Sequence, residues 1–342
     1  MPGVIQGGRM TVSPRRGLSA LTAWGLLSLA MAGVGLAGMS MGSTGWQWPW
    51  GPATDAGVLQ IVWDIRAPRT VGAMLVGALL GLGGAVAQGL FRNPLAEPYL
   101  LGSSSGAALG MALLLSFGWP DAMSDMPGMR MGLTGAAFFG AVVGVSLSLM
   151  LAKGAAHTTR LLLGGVVVGV VLGALTQLLM VWSAPAWRAM QAFMLGNTAL
   201  LGWQSCAVMG VVLMLTLPAS LVLARVLDAL SLGEDAARTL GIPLGATRAV
   251  LVGVLALSTG AAVAQAGLVA FVGLVAPHLV RSSARGRHAA LLGLSTLMGA
   301  VLLGTADVLS RYVLAPQELP VGVLTAVLGG SYLIWLLHRR RS

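Results

Sequence analysis

Thr70-Val71-Gly72-Ala73-Met74-Leu75-Val76-Gly77-Ala78-Leu79-Leu80-Gly81-Leu82-Gly83-Gly84-Ala85-Val86-Ala87-Gln88-Gly89-Leu90-Phe91 is a run of 22 residues without a charge. At 1.5 Å per residue a helix of this length covers about 33 Å, enough to cross the hydrocarbon of a bilayer. Its glycines would weaken a helix in water. In a membrane, small residues let helix backbones approach where no hydrophobic pressure drives them together, so Gly72-Ala73, Gly77-Ala78, Gly81 and Gly83-Gly84 predict a span buried in a tight bundle.

Working outward, comparable runs recur at 18–41, 99–117, 131–152, 161–183, 204–224, 248–265, 268–280, 289–309 and 321–337, which with 70–91 makes about ten crossings. Only 9% of the 342 residues are charged, against roughly 25% in a soluble domain. The fold class is therefore all-α, a single polytopic membrane domain over 1–342. It has a 1–17 cytoplasmic segment, a 225–247 cytoplasmic loop and a 338–342 cytoplasmic tail. The run at 18–41 is too long for a cleavable signal and reads as a retained span. The run at 268–280 is too short to cross alone and predicts a broken helix backed by protein.

Placing both termini inside puts 15 of the 20 basic residues on the cytoplasmic side, and five outside: Arg66, Arg69, Arg130, Arg188 and Arg311. The net charge of +10 is thus a matter of topology. The basic residues form no continuous face, so nucleic acid is not an expected partner. Gly83-Gly84-Ala85-Val86-Ala87-Gln88 is echoed by Gly260-Ala261-Ala262-Val263-Ala264-Gln265 in a span of opposite direction. An inverted repeat and a chance of biased composition both account for it.

Catalytic and energy-coupling motifs are missing. Lys153, the only lysine, is flanked by Ala152 and Gly154 and sits in no phosphate-binding loop. His157, His278, His288 and His338 are scattered without acidic or cysteine neighbours, so no metal site and no bound cofactor is expected. Cys206 reads as packing. Asp307 is the only acid within the expected spans, and Arg311 one turn on is its natural partner, which makes an ion-coupled carrier the weaker alternative.

The 225–247 loop reads as a short helix in its own right. Ser231 or Gly233 caps it, Glu234 and Asp235 favour its positive end, and Gly241 and Pro243 stop it. Outside, Arg66, Arg69 and Arg311 break the positive-inside bias. Snorkelling anchors and cations awaiting an acidic partner both explain them. The tryptophans Trp46, Trp48, Trp50, Trp182, Trp187 and Trp203 read as interfacial anchors in membrane lipid. Between the second and third spans, Pro94 and Pro98 oppose a continuous helix and make a rigid elbow at Asn93.

Several segments in this order resemble the FecCD-type permeases of binding-protein-dependent ABC importers, which move ferric siderophores, haem and cobalamin. They are Arg66-Ala67-Pro68-Arg69, Gln88 to Pro98, Leu101 to Ala107, Leu232 to Gly241, Phe271 to His278 and Glu318 to Gly322; the resemblance covers roughly Ile65 to Leu337. It implies an inner-membrane subunit that pairs with a second permease, identical or homologous. Two cytoplasmic ATP-binding subunits hold the ATP and Mg, and an extracytoplasmic solute-binding protein delivers the cargo. Ferric siderophore is the expected cargo because it is the largest class in the family, with haem and cobalamin as alternatives.

By the same resemblance, Gly233, Glu234, Asp235, Ala236, Ala237, Arg238, Leu240 and Gly241 form the coupling element that enters the ATPase. Arg66, Arg69 and Arg311 dock the binding protein, and Asn93 and Leu95 form a cytoplasmic gate facing Thr158 and Thr159. The elbow also reads as a plain turn with no gating role. Asn197-Thr198 departs from the usual Ser-Leu, and Arg285-Gly286-Arg287-His288 lacks the family's acid.

The topology has a direct check. A cysteine placed at Asp235 should stay unlabelled by an impermeant maleimide in intact cells and react once the membrane is permeabilised; labelling of intact cells would put the loop outside.

Overall fold

The computed structural model describes residues 19–42, 45–46, 48, 56–117, 127–154, 158–283 and 287–339. The 1–17 segment, Trp50, His157, Arg285, Gly286 and the tail beyond Arg339 lie outside the described residues, and so does the side chain of Arg130.

The described residues are helical almost throughout, with one antiparallel ribbon of two-residue strands among them, β1 (Met41–Gly42) and β2 (Gly45–Trp46), that the sequence did not announce. Among the described residues, seven helical stretches are long and apolar enough to cross a bilayer. They are α1 (Ala20–Ser40), the continuous stretch of α2 (Ala56–Ile61), a π-helical turn and α3 (Ala67–Phe91), then α5 (Pro127–Leu151), α6 (Thr158–Trp182), α8 (Trp203–Val222), α11 (Leu244–Ala266) and α13 (His288–Tyr312). The shorter apolar helices α4 (Ser103–Phe117) and α14 (Val321–Arg339) and the 12-residue α12 (Val272–Ser283) fall at the other three of the ten expected runs, and α12 is too short to cross alone. Three further helices lie between them: α7 (Ala184–Leu195), α9 (Ala224–Ser231) and α10 (Glu234–Thr239).

The glycine-rich run is the axis of the bundle. α3 is buried along nearly its whole length, packed by α13, α11, α12 and α8, while α4, α5 and α6 form a flanking group joined to it through α11. The reason is steric. A Cβ built on Gly77 would overlap the carbonyl oxygen of Gly299 in α13, and one built on Gly299 would overlap that of Gly77. Gly106 of α4 and Gly140 of α5 stand in the same reciprocal relation.

The short crossings follow from broken backbone. After α3 ends, residues 92–102 run without regular helix before α4 begins, and after α11 ends, residues 267–271 do the same before α12. Pro98 packs beside Gly83 and against Gly273, so this irregular backbone is covered by protein, the condition for its existence at membrane depth. The two halves that carry the Gly/Ala/Gln echo thus share a form, a long helix, a break and a short helix. Gln88 and Gln265 have different surroundings: Gln88 donates to Leu274 O at 3.2 Å, and Gln265 lines a cavity of about 450 Å³ between α4, α5, α8 and α11.

At the outer end, α3 and α13 are joined by charge. Asp307 accepts from Arg69 Nε at 3.0 Å, from Arg311 one turn away and from Thr198 Oγ1 at 2.6 Å; Arg69 also binds Glu318 at 2.7 Å. Arg311 donates further to Gly38 O, Met41 O and Thr70 Oγ1, which ties α1 to the pair.

Two substitutions should separate these contributions. Gly77→Leu should cost about 3 kcal/mol or more by overpacking and abolish a monodisperse gel-filtration peak, whereas Gly25→Ala, with open space around it, should be neutral. Asp307→Ala leaves two buried guanidinium groups without their shared carboxylate and should lower stability by about 3–5 kcal/mol in a detergent unfolding titration.

Candidate functional site

The cytoplasmic end gathers the residues read as coupling and gate. α10 begins after Gly233, whose φ of 119° has no side-chain cap. Ser231 does not cap it as one of the two expected candidates; its hydroxyl turns back to Asp228 O at 2.6 Å and closes α9 instead. The stop is as expected. Gly241 has φ 75°, and Ile242 N donates to Ala237 O at 3.2 Å, a hydrogen bond across the helix end that only a left-handed residue permits.

The expected 225–247 loop contains a helix the sequence reading missed. α9 seats Leu227 and Leu230 in the apolar cluster that also holds Phe91, Leu161, Leu251 and Leu255, and Ala237 of α10 is buried there too. The loop is therefore bolted to the cytoplasmic ends of α3, α6 and α11. Its first-period signal was short: Leu227, Leu230 and the neighbouring Ala224 recur at helical spacing, but an eight-residue helix directly following a span is easily absorbed into that span.

Glu234 was read as a partner of the helix dipole. The structure gives it more. Arg248 Nη2 donates to its Oε1 at 2.7 Å, Thr158 Oγ1 at 3.4 Å, and Arg92 Nη2 stands 3.7 Å away. The hydrogen bond from Arg248 holds the Glu234 carboxyl below its usual range; desolvation opposes it, and the charges of Arg248 and Arg92 and the Thr158 hydroxyl reinforce it. Asp235 and Arg238 of the same helix are exposed and, among the described residues, pair with each other alone at 4.0 Å. Alongside, Asp228 accepts from His288 N at 3.0 Å and Nδ1 at 2.7 Å, joining α9 to α13. Burial raises the Asp228 pKa, yet the two His288 hydrogen bonds and the charges of His288 and Arg287 outweigh it and leave the carboxyl below its ordinary value.

The elbow is as rigid as its prolines imply. Arg92 ends α3 in the left-handed conformation (φ 50°), Asn93 N donates to Gln88 O at 3.2 Å, and Asn93 Oδ1 accepts from Leu95 N at 2.9 Å. Leu95 and Thr159 are exposed and Thr158 is half-buried. What brings elbow and α6 together is Glu234, which reaches both Arg92 and Thr158.

Glu97 was also missed. Asp307 was expected to be the only acid inside the spans, but Glu97 is carried inward by the irregular segment. Its neighbour Pro98 lies beside Gly83, eight residues from the cytoplasmic end of α3, about 12 Å along the helix. There Glu97 Oε1 accepts from Phe271 N at 3.4 Å, at the positive end of α12, and Tyr99 donates to Val269 O at 3.0 Å. The signal was two prolines around a lone acid. His278, one of the scattered histidines, lies within α12, edge-on to Tyr332 at 6.0 Å.

Outside, Arg66, Arg69 and Arg311 are 6%, 7% and 2% exposed. Arg66 donates to Ser40 O at 3.4 Å, and the other two belong to the Asp307 cluster. Thr198, noted as departing from a family pattern, is buried against Asp307, and Asn197 N donates to Ala266 O at 2.8 Å. Trp46, Trp48, Trp182, Trp187 and Trp203 are all exposed, and Cys206 is buried with its thiol towards Pro68 O at 3.2 Å.

Known proteins share this arrangement. The model of the FecCD transport family matches residues 21–339. The vitamin B12 import system permease protein BtuC of Klebsiella pneumoniae is 40% identical over 302 residues, 87% of this chain and 88% of that protein. The Salmonella typhimurium protein of that name is 41% identical over 277 residues, 81% and 83% of the two chains. A solved metal-chelate type ABC transporter in an inward-facing conformation superimposes with a TM-score of 0.83 at 27% identity, covering 93% of this chain and 99% of that one. A family match over residues 21–339, with identity of about 40% across more than four-fifths of both chains, leaves one conclusion: the chain belongs to the FecCD transport family and is a multi-pass ABC-importer permease of the inner membrane.

Proposed function

We propose that this permease passes a cobalamin-class corrinoid across the inner membrane, driven by ATP and Mg held on partner subunits. The observation that carries the cargo is the identity of about 40% over more than four-fifths of both chains to vitamin B12 permeases. It displaces ferric siderophore, whose only ground was the size of that class.

The assembly pairs two permease copies, two ATP-binding subunits and an extracytoplasmic binding protein. Support for the pairing comes from the apolar faces this chain leaves open: Leu163, Val166, Val170 and Val181 on α6, and Val327 and Ile334 on α14, are exposed. Lipid covers such a face, and so does a second copy. Gly233 to Gly241 engages the ATPase, and Asn93 and Leu95, with Thr158 and Thr159, close the cytoplasmic mouth. At the outer face the role of Arg66, Arg69 and Arg311 changes in kind. Their guanidinium groups are engaged within the chain, so an acidic binding protein meets the field of the cluster more than individual free cations. ATP-driven closure of the ATPase pair moves α9 and α10, and because these are seated on α3, α6 and α11 the bundle rocks with them.

Reconstitution tests this reading. Proteoliposomes holding the chain, its ATP-binding subunits and its binding protein should take up radiolabelled cyanocobalamin only with ATP, and excess ferric siderophore should not compete. Uptake on an ion gradient by the chain alone would overturn the importer; competition by siderophore with no cobalamin uptake would overturn the cargo. Gly241→Trp, which forces a bulky side chain into φ 75°, should abolish cargo-stimulated ATP hydrolysis while the chain still accumulates in the membrane.

A further inference from the structure

Glu234 has more partners than a helix-dipole role requires, and they sit on three different membrane-crossing helices. Arg248 is in the first turns of α11, Thr158 is the first residue of α6, and Arg92 closes α3 immediately before the elbow. Among the described residues of α10, no other side chain makes a hydrogen bond or ion pair to another element: Asp235 pairs with Arg238, and Thr239 turns back to Ala236 O. Ala237 is buried, but an apolar contact resists sliding only weakly. A charge-assisted hydrogen bond has direction, and can pull as well as push.

The two arginines are not equivalent. Arg248 is 1% exposed and meets Glu234 at 2.7 Å, so this pair is the firmer of the two joints, between α10 and α11. The Arg92 side chain is 44% exposed and 3.7 Å away, a contact weak enough to be made and released in a working cycle.

We propose that Glu234 is a latch between the coupling helix and the cytoplasmic gate, fixed to Arg248 and releasably joined to Arg92. Displacement of α10 is then delivered to α11 and α6 directly, and to the Asn93–Leu95 elbow through Arg92. This rests on α10 being the ATPase-coupling helix. Glu234 and Arg92 are positioning residues. Neither needs to touch cargo.

The test reads the gate itself. In the full complex with ATP-binding subunits, in nanodiscs and with Cys206→Ser, a cysteine at Leu95 is modified with a soluble maleimide, and the ratio of rates without and with ATP is recorded. Arg92→Gln should shift that ratio by about two- to fivefold, the range an exposed ion pair supports. Glu234→Gln should shift it at least as far, and the double variant no further than Glu234→Gln alone, since one broken contact cannot be broken twice. Additive shifts, or no shift in Arg92→Gln, would overturn the latch. Should Glu234→Gln fail to fold, Arg92→Glu, which repels the retained carboxylate, should move the ratio beyond Arg92→Gln; equal shifts would overturn the proposal. An unmodified pair of residues whose Leu95 cysteine ignores ATP, with the ATP-binding subunits bound, would sink the coupling reading itself; a responsive one with additive variants sinks only the latch.

Discussion

Where α3 crosses α13, Gly77 and Gly299 place each backbone against the other's carbonyl, and no side chain larger than hydrogen fits between them. Inside a bilayer this closeness is the main source of cohesion, because lipid tails compete with any apolar side chain for the same contacts. The consequence is an axis surrounded by protein on every side. α3 can then carry polar ends, Arg69 in the outer charge cluster and Arg92 at the cytoplasmic corner, without presenting either charge to hydrocarbon. It can also support two stretches of irregular backbone, 92–102 and 267–271, whose polar groups would be untenable against lipid.

Those irregular stretches carry polar contacts of their own. The elbow after α3 is held at one end by Arg92 near Glu234 and at the other by Glu97 against the start of α12. The Glu97 end is the more enclosed of the two, the Arg92 contact is exposed and long, and Pro94 and Pro98 stiffen the chain between them. The elbow thus meets α10 on one side and the interior of the bundle on the other, through fewer than ten residues of chain.

The sequence made much of this legible, and the division follows a physical line. Local features came through: the lipid-length runs, the short broken crossing at α12, the capped helix at Glu234–Thr239 with its Gly241 stop, and the Asp307–Arg311 pair one turn apart. Each is decided by residues within one or two turns of each other. What escaped joins distant segments. Thr198 meets Asp307 across 109 positions and Glu97 meets Phe271 across 174, and no periodicity encodes such a meeting. α9 escaped for another reason. It follows α8 almost without a break, so its own period merged with the span before it.

The outer arginines show how a rule of topology and a structure correct each other. The positive-inside bias counts cations that must stay solvated, and by that count Arg66, Arg69 and Arg311 were exceptions, read as snorkelling anchors or as cations awaiting an acidic partner, with Asp307 already expected beside Arg311. The partners of the last two are internal: Asp307 lies between them and Glu318 takes the remaining reach of Arg69. A guanidinium neutralised by a buried carboxylate does not weigh on orientation as a free one does, so the bias behind the cytoplasmic placement of Glu234 and Arg92 is steeper than the raw count of 15 against 5. The same pairing makes the outer end of α3 and α13 a stiff joint. Three helices share that joint, because Arg311 also donates to Gly38 O and Met41 O and so holds the end of α1.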